Sequence, residues 1–419
     1  MTSATADPAA PEEGRRLGVA LVVVAVVVAL LAARQFSGDD LQVYRAAGRA
    51  LLDGIDPYRG QLPGTWIPFS YTPFSTAVFV PLALLAKPVG MFVLTLGSLA
   101  CLWFAVGRIV EEVRPGLGAD RRRRTTAVVC AVLLLAEPIT ETLGLGQMNT
   151  FLLAMVVGDV LRRRPSRWQG AWIGLATAFK LTPGIFALYL LVTRRFRAAA
   201  TAAAAFAATV VVGFAVMPHG SVTYWLHGVG ADPQHVGQVN YIPNQSVLGS
   251  LSRIVGYDTA RPWWLALCVP IAVGGTWLAV EVHRRWGDLA GLATIAFVAI
   301  LVSPYSWSHH FLWFVVPALL VAHRGWTTRS WRLVVAAALW SVPFFVGPFW
   351  FVPERAWHRD HHPLGQALLG STYTIVTLVG LGCVAWTVVA ARGRDRAAAS
   401  GAGHGDVADD QAGEVVAAR

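Results

Sequence analysis

The sequence predicts an all-α polytopic membrane protein, and three observations carry that prediction. Of 419 residues, 55% are hydrophobic and only 14% charged, and the mean hydropathy of +0.53 is too high for a soluble chain of this size. Apolar runs of helical length recur along the chain, the first at residues 18–33. The arginines cluster in short runs between these stretches, at 121–124, 162–164, 194–195 and 284–285. Such runs mark cytoplasmic loops, so the net charge of +10 implies no nucleic-acid partner. Cys101, Cys130, Cys268 and Cys383 all lie in apolar runs without a CxxC pair, which argues against disulfides and a cysteine metal site.

Three regions follow: a cytoplasmic N-terminal tail (1–17), a membrane domain (18–391) and a disordered cytoplasmic tail rich in Ala, Gly, Asp and Arg (392–419). Arg15 and Arg16 fix the start of the first span inside, and that span reads as an anchor rather than a cleaved signal. Asp39 and Asp40 therefore emerge on the outer face. Asp40 opens a segment with apolar residues at 41, 44, 48, 51, 52 and 55, the spacing of an amphipathic helix on the outer surface.

The arginine runs decide which later stretches cross. Residues 71–86, interrupted by Pro73 and Pro81, read as a half-buried helix, and 89–110 cross inward to Arg121–Arg124. The chain crosses outward at 125–143, turns at Gly146-Gln147-Met148-Asn149, and returns at 148–161. Residues 168–193 have arginines at both ends, so this stretch goes out and comes back, with Lys180-Leu181-Thr182-Pro183-Gly184 at its tip. Each arm is shorter than the ~20 residues that span a bilayer, and broken helices at membrane depth persist only inside protein or beside a watery cavity. That cavity is the expected active site. Crossings at 198–217, 262–281, 288–303, 311–322, 332–352 and 370–391 complete about twelve, with both termini inside. No internal repeat of the transporter kind is visible.

The unusual polar residues sort to the outer side. Asp40 has two readings, a cap on its helix and a catalytic base, and one residue can be both. Lys180, one of two lysines, offers a compact charge suited to a phosphate, against the alternative of a lysine snorkelling to the surface. His309 and His310, flanked by Trp307 and Trp313, are either interfacial and structural or donors to a phosphate. Gln147, Asn149, Asn244 and Gln245 carry amides that suit sugar hydroxyls and equally cap helix ends. Glu137 and Glu141 are placed beside the same cavity, with no partner assigned. His358, His361 and His362 have loose metal-like spacing in a charged loop and read as solvated.

Taken in order, the motifs Asp40-Leu41-Gln42-Val43-Tyr44, Phe69-Ser70-Tyr71-Thr72-Pro73, Gly146-Gln147-Met148-Asn149, Lys180-Leu181-Thr182-Pro183-Gly184, Asn244-Gln245-Ser246 and Ser303-Pro304 through His309-His310 resemble glycosyltransferase family 87. The resemblance covers roughly residues 36–320. It implies the GT-C fold in the plasma membrane with its active site outside, and the family's polyprenyl-phosphate-mannose-dependent α-mannosyltransferase activity. The implied donor is polyprenyl-phosphate-mannose. The implied acceptor is a mannosylated phosphoinositide glycolipid or lipoglycan, joined through an α-1,2 bond. The family's catalytic aspartate corresponds to Asp40 and its essential histidine falls within His309-His310. Tyr44, Gln147, Asn149, Lys180, Asn244, Gln245 and Trp307 are then expected to hold the donor's phosphate and sugar. No cofactor or metal is expected, since no diphosphate and no Asp-x-Asp pair asks for one. The alternatives are a polyprenyl-phosphate-arabinose-dependent arabinofuranosyltransferase and a polytopic transporter.

Overall fold

The computed structural model describes residues 10–162, 164, 166–231, 236–357 and 359–416. Arg163, His358, the first nine residues of the N-terminal tail and the last three of the C-terminal tail lie outside the described residues. Helix α1 (Ala10–Gln35) carries the first apolar run, and α2 (Asp39–Leu52) follows after Gly38. Gly38 occupies the capping position in the left-handed region, with φ 58°, and no side chain caps the helix. Asp39 and Asp40 instead form its first turn, where carboxylates are favoured by the exposed backbone N–H groups. Leu41, Val43, Tyr44, Ala47, Gly48 and Ala50 are buried, and α2 packs on α3 (Pro73–Leu84). A Cβ at Gly48 would stand 2.6 Å from the Phe79 carbonyl oxygen, so glycine is what permits the close crossing.

After α4 (Lys87–Val113), the stretch expected as one outward crossing is two helices, α5 (Ala119–Leu133) and α6 (Glu137–Leu145), bent by 78°. Pro138 explains the break: it has no N–H to give to the preceding turn and its ring would clash there, so it is accommodated only in the first turn of α6. Helix α6 ends on Gly146 at φ 72°, where the Gln147 N–H returns to the Thr142 carbonyl at 2.8 Å.

The broken hairpin forms as expected. Between α7 (Asn149–Val160) and α10 (Phe196–Val216), the arms α8 (Ala171–Phe179) and α9 (Gly184–Val192) have 9 residues each. Each is about 14 Å long, less than half the hydrocarbon thickness. Lys180 leaves α8 in an extended conformation, and α9 begins after Pro183. The base of the hairpin is held by Asp159, fully buried, whose carboxylate accepts the N–H groups of Gly170, Trp172 and Ile173 at 2.9, 3.0 and 3.2 Å and pairs with Arg162 at 3.1 Å. Helix α8 lies against α10 through small residues; a Cβ at Gly174 would fall 2.3 Å from the Ala202 carbonyl oxygen.

The chain continues through α11 (Pro218–Ser221), α12 (Val247–Val255), α13 (Tyr257–Trp286) and α14 (Asp288–Val302). Helix α14 is apolar on all sides and buried from Leu289 to Leu301. A 3₁₀ segment (Ser308–Phe314) then leads into α15 (Val315–Thr327), α16 (Trp331–Val346), α17 (Leu364–Leu369) and α18 (Thr372–Val416). Residues to Thr374 form one compact unit, and Ile375 onward, the body of α18, a second. Among the described residues no β-strand forms, and four helices are long and apolar enough to cross a membrane: Lys87–Val113, Phe196–Val216, Tyr257–Trp286 and Thr372–Asp395. The bent α5–α6 pair would make a fifth.

Replacing Asp159 by Ala leaves three backbone N–H groups and an arginine without their partner at a buried site. Stability should fall by about 3 kcal/mol, read as a drop of several degrees in thermal unfolding in detergent; an unchanged midpoint would contradict the anchoring role.

Candidate active site

Lys180, at the break of the hairpin, is the centre of a polar cluster drawn from five parts of the chain. Its Nζ donates to Gln147 Oε1 at 3.3 Å, Asn149 Oδ1 at 3.4 Å and His310 Nε2 at 3.1 Å, and lies 5.5 Å from the centroid of the Tyr71 ring. An ammonium can only donate, so His310 accepts on Nε2 and carries its proton on Nδ1. Tyr44 and Tyr71 meet hydroxyl to hydroxyl at 2.9 Å. The Tyr44 hydroxyl also donates to Gln147 Oε1 at 3.0 Å, and Gln147 Nε2 donates to the Tyr71 hydroxyl at 3.1 Å. Behind them Tyr44 stacks on Phe79 with ring centroids 4.3 Å apart.

Asp40 completes the cluster from the first turn of α2. The Gln147 amide and the Tyr71 hydroxyl hydrogen-bond its carboxylate, and Lys180 is the cation that acts on it. Burial dominates nonetheless and pushes the Asp40 carboxyl up to about 6, the lysine charge opposing the rise and the neighbouring Asp39 adding to it. A carboxyl of that strength is ionised at neutral pH yet basic enough to take a proton, the condition for a general base.

An apolar groove opens beside the lysine. Leu152, Leu153 and Val156 of α7, Ile185 and Phe186 of α9, Ala296, Ala299 and Ile300 of α14, and Leu312 and Trp313 line it, and Asn149, Lys180, Thr182 and His310 are its polar residues. Asp40 is not in the lining and meets the cluster through Gln147 and Tyr71. The site thus has two sides, an apolar channel and a carboxylate, joined by one ammonium.

A family model described as glycosyltransferase family 87 matches residues 69–304. The chain belongs to this family. Its relatives agree over nearly the whole length. It is 31% identical over 407 residues to the polyprenol-phosphate-mannose-dependent alpha-(1-2)-phosphatidylinositol pentamannoside mannosyltransferase of Mycolicibacterium smegmatis, covering 91% of this chain and 95% of that one. The protein of the same description from Mycobacterium tuberculosis is 32% identical over 393 residues, 90% of this chain and 88% of its own. A polyprenol-phosphate-mannose-dependent alpha-(1-2)-phosphatidylinositol mannoside mannosyltransferase of Mycobacterium tuberculosis is 29% identical over 376 residues, 84% and 87% of the two chains.

Within this glycosyltransferase, six of the ten residues expected at the site share the cluster: Asp40, Tyr44, Gln147, Asn149, Lys180 and His310. His309 packs edge-on against His310 with ring centroids 4.8 Å apart, is buried, and leaves its Nε2 without a partner, while its carbonyl accepts from Asn149 Nδ2 at 3.2 Å. Asn244 and Gln245 stand apart from the lysine, both with 0% exposure. Asn244 donates to the carbonyls of Val239 and Pro304 and accepts the N–H groups of Ser246 and Ser306, which uses all four of its hydrogen-bonding positions. Gln245 donates to Ile242 and Gly370 and accepts from the Tyr373 N–H. Trp307 forms an isolated β-bridge with Asn244 and packs its ring on Tyr241 and Tyr305. These three residues splice the 236–246 loop to the segment that carries the histidines.

Tyr71 is the cluster member that the residue-by-residue reading passes over. Its motif is visible in the sequence, but a tyrosine beside Phe69 and Pro73 reads as packing, and only the meeting with Gln147 and Tyr44 gives its hydroxyl a task. Lys180→Met removes the one cation opposing the rise at Asp40, so the carboxyl should titrate above its present value of about 6. Infrared difference titration of the protonated carboxyl band, with Asp40→Asn as blank, checks this; a downward shift or none would contradict the coupling.

Proposed function

We propose that this protein transfers mannose from polyprenyl-phosphate-mannose to a mannosylated phosphatidylinositol glycolipid, forming an α-1,2 bond at the outer face of the plasma membrane. The observation that carries the reading is the juxtaposition at Lys180: an apolar groove on one side and a poised carboxylate on the other. A lipid phosphosugar has the matching form, an apolar chain, then an anion, then a sugar. The descriptions of the mycobacterial relatives supply the sugar, the linkage and the acceptor class.

In this reading the polyprenyl chain lies in the groove and its phosphate meets Lys180 and His310. The acceptor hydroxyl approaches from the Asp40 side. Asp40 takes the hydroxyl proton as the oxygen attacks the anomeric carbon in line. The bond from that carbon to the phosphate oxygen breaks, and polyprenyl phosphate leaves with the electron pair. One displacement inverts the configuration, turning a β-phosphosugar into an α-glycoside. The fixed ammonium stabilises the charge gathering on the leaving phosphate. His310, placed on the lysine and in the groove, is the histidine of the pair that faces the donor; His309 supports it from behind.

The same reading fixes the topology. The four long helices, the bent α5–α6 pair, the shorter apolar helices Asn149–Val160, Asp288–Val302 and Trp331–Val346, and α1, α8, α9 and α15 make up about twelve spanning or partly spanning segments of a GT-C membrane domain over residues 18–391, flanked by cytoplasmic tails. Helix α2 lies along the outer surface, its exposed Leu52 and the following Ile55 toward lipid.

Purified protein given labelled polyprenyl-phosphate-mannose and a phosphatidylinositol mannoside should yield one longer glycolipid with an α-1,2 terminal mannose. Asp40→Asn should abolish the product while the protein stays folded in detergent. His310→Ala should reduce turnover at least about tenfold more than His309→Ala. Retained turnover in Asp40→Asn would remove Asp40 as base, and the reverse order of the histidines would reassign the phosphate contact.

A further inference from the structure

Glu137 is a buried carboxylate that the transfer chemistry leaves unused. It is the first residue of α6 and is 7% exposed. Three donors converge on it: Trp350 Nε1 on one oxygen at 3.1 Å, the Tyr373 hydroxyl on the other at 2.7 Å, and the Ser308 side chain. Ser308 opens the 3₁₀ segment and immediately precedes His309 and His310. Trp350 and Tyr373 come from the far end of the sequence, and the Tyr373 ring also packs on Phe311 of the same segment, with centroids 5.2 Å apart.

The geometry points to Glu137 as a positioning residue: by accepting Ser308, Trp350 and Tyr373 together it fixes the histidine segment, and through it the register of His310 on Lys180. The inference rests on the transfer reaction proposed above, in which His310 meets the donor phosphate. A carboxylate offers acceptor lone pairs on both oxygens to these donors, where an amide would offer one oxygen and two N–H groups that oppose them. The segment is tied at its start to the 236–246 loop, where the Ser308 N–H meets the Pro243 carbonyl at 3.0 Å, and beyond Ser308 few polar contacts hold it. It is a 3₁₀ turn, with weaker backbone hydrogen bonding than an α-helix, and its other polar tie to the cluster is the His309 carbonyl on Asn149. Histidine placement matters at the scale of the 3.1 Å contact to the lysine, and a shift of about 1 Å is enough to spoil a phosphate contact.

Glu137→Gln tests this with little change of shape, since the amide retains one acceptor oxygen and adds two donors that oppose those already present. The readout is the affinity of the full-length protein for polyprenyl phosphate, the leaving group, in detergent. It is measured for the wild type, Glu137→Gln, His310→Ala and the double variant. Glu137→Gln should weaken binding roughly tenfold, and should add less than about twofold once His310 is already Ala, because the effect runs through that imidazole. The Asp40 carboxyl titration should be unmoved, which general loosening of the fold would not allow. Tyr373→Phe, which keeps the ring and deletes one donor, should show the same non-additivity with a smaller loss, and it takes the place of Glu137→Gln if that variant does not accumulate. Multiplicative losses in the double variant, or wild-type affinity in Glu137→Gln, would overturn the inference. A wild type that does not bind polyprenyl phosphate at all would instead sink the transferase reading on which it rests.

Discussion

The site depends on one electrostatic relation, the ammonium of Lys180 set opposite the carboxylate of Asp40 with neutral groups between them. Every side chain that hydrogen-bonds the lysine is uncharged: Gln147, Asn149 and His310. A charge removed from water is costly unless it is paired, and here the pairing is indirect, through space and through the Gln147 amide that touches both partners. A direct salt bridge would satisfy both charges and leave neither free for a substrate. In the proposed reaction the interposed amide keeps the lysine available to a phosphate and the aspartate available to a hydroxyl. Asp40 remains a moderately strong base because desolvation outweighs the lysine's pull.

Helix α6 is what brings the parts together. Its C-terminal carbonyl at Gly144 accepts the Gly38 N–H at 3.0 Å, which moors the turn before Asp40, and its capping turn delivers Gln147. Thr142 on the same helix accepts Asn149 at 3.3 Å. Both mooring points need glycine. Gly38 and Gly146 have positive φ, and a Cβ on either would meet Met91 Sδ at 2.8 or 3.1 Å, that on Gly146 also Leu41 Cβ at 3.0 Å. The second wall is moored elsewhere: the Thr72 hydroxyl is hydrogen-bonded to the Ala178 carbonyl two residues before the lysine, tying the Tyr71 motif to the hairpin arm. A nine-residue helix, with the Glu137 contacts at one end and a glycine turn at the other, sets the placement of Asp40 relative to Gln147 and Asn149.

Much of this was legible in the sequence because charge and helix-breaking chemistry are local. Arginines at both ends of 168–193 demanded an even number of passes, and Lys180-Leu181-Thr182-Pro183-Gly184 supplied the only place to turn; the structure breaks there. The apolar spacing after Asp40 foretold that a helix forms there. What sequence could not resolve was the use of polar groups that serve two ends equally well. An amide binds a sugar hydroxyl or a backbone carbonyl with the same atoms, so Asn149 and Asn244 look alike in the chain, and only packing sends one to the lysine and the other into the backbone. The single crossing expected at 125–143 concealed a bend because the apolar run 127–136 leads straight into Glu137 and Pro138, and Pro138, a residue tolerated at helix starts, marks a boundary only once Ala136 is seen to be extended. Glu137 carried no sign of its three partners, two of which lie more than two hundred residues away.

In the proposed reaction donor and acceptor reach Lys180 from opposite sides. A cryo-electron microscopy structure with a non-transferable phosphonate analogue of polyprenyl-phosphate-mannose addresses it directly. The phosphonate is expected between Lys180 and His310, the isoprenoid along Leu152, Phe186 and Ile300, and the mannose directed toward Asp40. A lipid chain running on the Asp40 side, or a phosphonate bound away from the lysine, would contradict it.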